Sequence, residues 1–98
     1  MSIHKKFDLT GRVAVVTGGP GLLGKEFCRT LAEAGASVAV VDINAEGCKA
    51  VADDLNSQGY AAIAVPTDIT QPESVKKMVE TIQQEGGRLD ILVNSAAL

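Results

Sequence analysis

The 98-residue sequence has no tryptophan, one tyrosine and two phenylalanines, which leaves little aromatic surface for stacking nucleic-acid bases. It also lacks a basic surplus. The formal net charge is −3 and the isoelectric point is near 5.0, whereas a phosphate-backbone binder carries clustered Lys and Arg. No run of eighteen apolar residues exists, so a transmembrane helix is not expected, and the first ten residues, MSIHKKFDLT, contain no apolar stretch of the secretory type. Nucleic acid and membrane are therefore not expected partners, and a cytoplasmic location is the expectation. Only two cysteines are present, Cys28 and Cys48, each inside a helix-like segment and neither with a Cys or His at ligand spacing. They read as small buried hydrophobes, with no disulfide framework and no metal site. The one histidine, His4, stands in a polar tail and reads as solvated.

What is present is a repeated alternation. Four short apolar runs rich in β-branched residues, at 12–17 (RVAVVT), 37–42 (SVAVVD), 61–65 (AAIAV) and 89–94 (LDILVN), read as buried strands. Between them the apolar period changes to that of a helix. Leu23, Phe27, Leu31 and Ala34 form one stripe, stopping at Gly35; Cys48, Val51, Ala52 and Leu55 form a second, with Gly59 beyond it. Val75, Met78, Val79 and Ile82 form a third, opened by Pro72 and Glu73 and ended by Gly86 and Gly87. Strands and helices in strict alternation predict a three-layer α/β domain with a parallel sheet. Right-handed crossovers favour the strand order 3-2-1-4. No repeat, low-complexity tract or linker interrupts residues 1–98. The sequence ends at Leu98 just after a strand, so the sheet is expected to be incomplete, and strand 89–94 should expose an edge that promotes self-association.

The segment 17–26, TGGPGLLGKE, admits two nucleotide readings. Counted from Gly19 it is most of a triphosphate loop, G-x-x-x-x-G-K, and the acidic end of the second strand mimics the acidic strand of a triphosphatase. That loop needs Ser or Thr after its lysine to ligate Mg²⁺, and Glu26 stands there instead. Counted from Gly18 it is a dinucleotide loop. Gly18 would make the tight turn, Gly21 would let the backbone approach a pyrophosphate, and Gly24 would let the helix pack on the strand. This reading also asks for an acid at the end of the second strand, and Asp42 stands there. Its carboxylate would accept from the adenosine ribose hydroxyls and repel a 2′-phosphate, which predicts NAD rather than NADP; the alternative is that Asp42 only terminates a strand. Pro20 has no N–H, which leaves Leu22 and Leu23 as pyrophosphate donors.

These residues resemble the short-chain dehydrogenase/reductase family from Phe7 to Ala97. The segment 7–12, FDLTGR, is similar to its lead-in to the first strand, and 17–24 is similar to its cofactor loop. Asp68 and Ile69 match its adenine-contacting pair, and 94–97, NSAA, is similar to its Asn-Asn-Ala-Gly segment. The loop departs from the common T-G-x-x-x-G-x-G pattern, since Gly21 arrives one residue early, as in the extended branch of the family. The tail and the long third helix favour the single-domain branch with a variant loop. The resemblance implies a Rossmann-type fold with a dinucleotide cofactor held by Gly18, Gly21, Leu22, Leu23, Gly24, Asp42 and Ile43 at the phosphate and ribose end. Asp68 and Ile69 would meet adenine, and Asn94, Ser95 and Ala96 would line the nicotinamide ribose. The alternatives are that Leu23 belongs to the core, Asp68 caps a turn before Thr70, and Asn94 only ends a strand.

The family reaction is hydride transfer between NAD(P) and an alcohol or carbonyl substrate, with a tyrosine as general acid/base, a lysine beside it and a serine orienting the substrate. No such set is found in these 98 residues. Tyr60 is the only tyrosine, and Ala64 stands where Tyr-x-x-x-Lys would place the lysine. The expectation is the cofactor-binding N-terminal part of an oxidoreductase, inactive by itself, homo-oligomeric in its complete form. The competing readings are a stand-alone nucleotide-binding or interaction module and a degenerate triphosphate hydrolase.

Overall fold

The computed structural model describes residues 8–95. The elements run β1 (Val13–Thr17), α1 (Leu22–Glu33), β2 (Ser37–Asp42), α2 (Ala45–Ser57), β3 (Ala62–Pro66), α3 (Pro72–Gly86) and β4 (Ile91–Asn94). All strands are parallel in the order β3-β2-β1-β4, the order expected from right-handed crossovers. The sheet separates two cores. On one face Cys28 and Ala32 of α1 and Cys48, Val51, Ala52 and Leu55 of α2 pack on Val16, Val38 and Val40. On the other, Met78 and Ile82 of α3 pack on Val13, Val15, Ala39, Val41 and Val65.

Helix ends follow the punctuation in the sequence. Pro72 opens α3, Gly87 closes it with φ +75°, and Gly35 follows α1 with φ +105°. Asn44 caps α2 by accepting from the Gly47 N–H at 3.0 Å.

On α1, Leu31 packs partly buried on the core and Ala34 is buried, as expected, but the first half of the expected stripe is displaced by one residue. The buried face is Gly24, Cys28 and Ala32, while Leu23 is 61% exposed and Phe27 lies at the margin of the core. The cause is close approach: a Cβ on Gly24 would overlap the carbonyl oxygen of Gly18, so the helix sits too near the β1 turn for a large side chain to face inward.

Strand β4 is shorter than expected and is not buried throughout; Leu92 is 62% exposed. It begins at Ile91 because Asp90 uses both backbone and side chain on Val13. The Asp90 N–H donates to the Val13 carbonyl at 3.0 Å, and its Oδ2 accepts from the Val13 N–H at 2.8 Å. Arg88 and Arg12 hold the other carboxylate oxygen. The two sheet edges also differ. On β3 the Asn56 carboxamide pairs with both the N–H and the C=O of Ala62, each at 2.9 Å, and Pro66 offers no N–H, so this edge is largely closed to further pairing. On β4 no described residue pairs with the side away from β1.

Candidate nucleotide site

Parallel strands in register bring four chain segments to one rim. Thr17 is level with Val41 and Asn94, and Asp42 is level with Pro66. The carboxyl ends of β1, β2, β3 and β4 thus deliver Gly18–Gly24, Asp42–Ile43, Asp68–Ile69 and Asn94–Ser95 to the same edge of the sheet, where open α/β sheets bind ligands. Ala96 lies outside the described residues, as do His4 and Phe7.

The loop is built from its glycines. Gly18 has φ +72°, in the left-handed region, and its N–H is anchored on the Val41 carbonyl at 2.8 Å. The Gly21 N–H returns to the Gly18 carbonyl at 3.0 Å, and the Lys25 N–H takes the Gly21 carbonyl at 2.9 Å as the first bond of α1. The N–H groups of Leu22, Leu23 and Gly24 make no hydrogen bond among the described residues, and Gly21 supplies no side-chain cap. Three adjacent donors at the positive end of a helix dipole form an anion cradle. Leu22, 88% exposed, and Ile43, 70% exposed, flank it with apolar surface.

Lys25 lines the groove between α1 and α2 with Glu26, Arg29 and Asp54. A triphosphate loop would need that lysine folded over the phosphates, so the geometry favours the dinucleotide spacing.

Asp42 is half-buried. Its Oδ2 accepts from the Asn44 N–H at 3.0 Å, which fixes the carboxylate at the start of α2, and no other described hydrogen bond uses Oδ1. Asp42 therefore shapes the turn and also keeps an acceptor free. Asp68 is likewise engaged locally, accepting at Oδ1 from the Thr70 N–H at 3.0 Å and hydroxyl at 2.6 Å. These bonds, the hydroxyl first, hold its carboxyl below the usual carboxylate range. Asn94 meets the Thr17 hydroxyl through Oδ1 at 2.9 Å, and the Ser95 hydroxyl donates to the Thr17 carbonyl at 2.6 Å. Thr17, which the sequence reading took only as the end of a strand and the start of the loop, is the hub that fixes both. Tyr60 stands at the other end of β3, packed against the α1–α2 core.

Sequence reasoning also missed Gly19 and Gly47. A Cβ on Gly19 would overlap Cγ1 of Val40, and one on Gly47 would lie 2.8 Å from Cβ of Pro20. The available signal was a glycine in the first turn of α2, where it adds nothing to helix propensity.

Both cysteines are buried directly beneath this rim. Sγ of Cys48 approaches the Asp42 carbonyl at 3.7 Å, and Sγ of Cys28 lies 3.6 Å from where a Gly19 Cβ would stand. Burial is the main cause that pushes each thiol up to about 11 from an ordinary 9.0. Their contribution to stability is complete below 9.0 and is lost as pH rises through about 11, because the unfolded chain ionises first. At the acid end the sign reverses. Hydrogen bonds from Arg88 and the Val13 N–H hold Asp90 below 3.8, as Thr70 holds Asp68, so that stabilisation is present above 3.8 and is lost as pH falls beneath it. Urea midpoints should be flat from about pH 5 to 8 and fall on both sides. The Cys28→Ala/Cys48→Ala variant should flatten the alkaline limb; an alkaline fall as steep as that of the unsubstituted chain would show that the thiols do not drive it.

The family model described as short chain dehydrogenase matches residues 12–98. Among curated proteins, the uncharacterized oxidoreductase YxjF of Bacillus subtilis is 45% identical over 87 residues, covering 89% of this chain and 34% of the relative. The chain thus spans about a third of the length of the curated relatives it matches. Among solved structures, a putative D-mannonate oxidoreductase from Haemophilus influenza with bound NAD superposes with TM-score 0.92 at 30% identity, over 99% of this chain and 35% of the other. A metagenomic short-chain oxidoreductase in complex with NADP superposes with TM-score 0.86 at 30% identity, over 93% of this chain and 41% of the other.

Proposed function

Because this chain belongs to the short-chain dehydrogenase family, we propose that residues 1–98 are the dinucleotide-binding part of an oxidoreductase that transfers hydride between NAD and an alcohol or carbonyl substrate. The observation that carries this reading is the row of N–H groups at Leu22, Leu23 and Gly24, unpaired among the described residues, at the same rim of the sheet as Asp42, whose Oδ1 takes no described hydrogen bond. The fit to a dinucleotide is steric as well as electrostatic. Gly21 is exposed and carries no side chain between the loop backbone and solvent, so a pyrophosphate can approach the helix end closely.

In this reading Leu22, Leu23 and Gly24 donate to the pyrophosphate, and Asp42 accepts from the adenosine ribose with the Ile43 side chain beside it. Asp68 and Ile69 border adenine, with Thr70 keeping the Asp68 carboxylate ionised. Asn94, Ser95 and Ala96 border the nicotinamide ribose, the first two braced by Thr17. The bound cofactor would supply hydride acceptance or donation; these residues bind and orient it. None of them is a proton donor suited to a substrate oxygen, and Tyr60 lies at the opposite end of the sheet from the loop. A homo-oligomeric complete enzyme and a cytoplasmic location belong to the same proposal.

Binding and turnover are expected to separate. Millimolar NAD should shift the backbone amide resonances of Leu22, Leu23 and Gly24 in the 98-residue chain, while reduced-cofactor absorbance with a panel of alcohols and ketones stays at background. Unmoved amide resonances would remove the cofactor assignment. Turnover abolished by Tyr60→Phe would mean that the active site is elsewhere than proposed.

A further inference from the structure

We propose that the first turn of α2 is a positioning element for the phosphate loop, acting through the contact of Gly47 with Pro20. The inference rests on the dinucleotide reading of the loop and adds residues which that reading leaves unused.

Two glycines require explanation. Gly47 lies inside a helix, where alanine would be the better residue, and its missing side chain is accounted for by its surroundings. A Cβ there would stand 2.8 Å from Cβ of Pro20, and 2.6 Å and 3.0 Å from Nδ2 and Cγ of Asn44. The Asn44 side chain can rotate, at the expense of its cap bond to the Gly47 N–H. Pro20 cannot retreat so readily. Its ring fixes its own φ, and the residue before it, Gly19, is buried against β2, with its N–H on the Val41 carbonyl at 3.3 Å and Cγ1 of Val40 filling the space a Cβ would need.

The outer arm of the loop therefore hangs from the end of β2 and rests on the start of α2. The same turn fixes Asp42, through the Asn44 N–H on Oδ2. One rigid corner, residues 41–47, sets both the height of the phosphate loop and the place of the ribose acceptor. This matches the chemistry of an adenosine diphosphate moiety, whose pyrophosphate and ribose must be met at a fixed separation. A side chain at 47 would push Pro20 and carry Gly21 with it, displacing the three free N–H groups while leaving the sheet intact.

The test is a double-mutant cycle read by calorimetric titration with NAD, with melting temperature recorded for each variant. Gly47→Ala should weaken NAD roughly tenfold in the Pro20 background and less than about twofold in the Pro20→Gly background, since glycine at 20 removes the opposing Cβ. Equal loss in both backgrounds, or no loss in either, overturns the proposal. If Gly47→Ala does not fold, Pro20→Gly alone decides. It should bind NAD about threefold more weakly with an unchanged melting temperature, because the loop loses its rest on α2, and unchanged affinity overturns the proposal. An unsubstituted chain that does not bind NAD fails earlier, overturning the cofactor reading and this inference with it.

Discussion

Gly24→Ala is expected to lower folding stability by about 1–3 kcal/mol and dinucleotide affinity by about tenfold or more. The added methyl would overlap the Gly18 carbonyl oxygen and stand 2.8 Å from its carbon and 2.9 Å from Cα of Gly19. These are backbone atoms. No rotamer change can relieve them, so either α1 moves off the sheet or the Gly18 turn opens. The first opens a gap around Cys28 and Ala32; the second breaks the Gly21 N–H bond to Gly18 and turns the free donors away from the rim. Gly59→Ala is the control. Gly59 also has positive φ, +91°, but nothing lies within 4 Å of its missing Cβ and it is far from the rim. Alanine there should cost about 1–2 kcal/mol through backbone strain alone, with NAD affinity unchanged. Chemical denaturation paired with NAD titration separates the two effects. Full affinity in Gly24→Ala would show that helix contact with the loop does not set the donors.

Asp42 is expected to favour NAD over NADP by roughly a hundredfold or more, since setting like charges together costs several kcal/mol. The Asn44 N–H pins the carboxylate, so it cannot swing away from a 2′-phosphate without giving up that bond. Positions 19, 20 and 43 are Gly, Pro and Ile, so no Lys or Arg stands there to offset the charge. Asp42→Ala should weaken NAD, through the lost ribose acceptor, and strengthen NADP, through the lost repulsion, narrowing the gap from both sides. Competitive titration decides it. Tighter binding of NADP than of NAD by the unsubstituted protein would remove this role from Asp42.

The sequence by itself determined the alternation of elements, the parallel sheet and its 3-2-1-4 order, because apolar period, Gly and Pro punctuation and crossover handedness are carried by neighbouring residues or by chirality. It also placed the glycine-rich loop and Asp42 at strand ends, which register in a parallel sheet sends to one rim. It did not determine which face of α1 is buried. Two stripes at the same period compete there, and the larger one, Leu23 with Phe27, loses to Gly24, Cys28 and Ala32 because Gly18 and Gly24 draw the helix too close for bulk. Nor did it reveal the clamp of Asp90 on Val13, the Thr17 bond to Asn94, or Pro20 resting on Gly47. Each joins residues from 27 to 77 positions apart in the chain. No local pattern encodes such pairs, and only the packed tertiary structure decides which side chains must be absent for two backbones to meet.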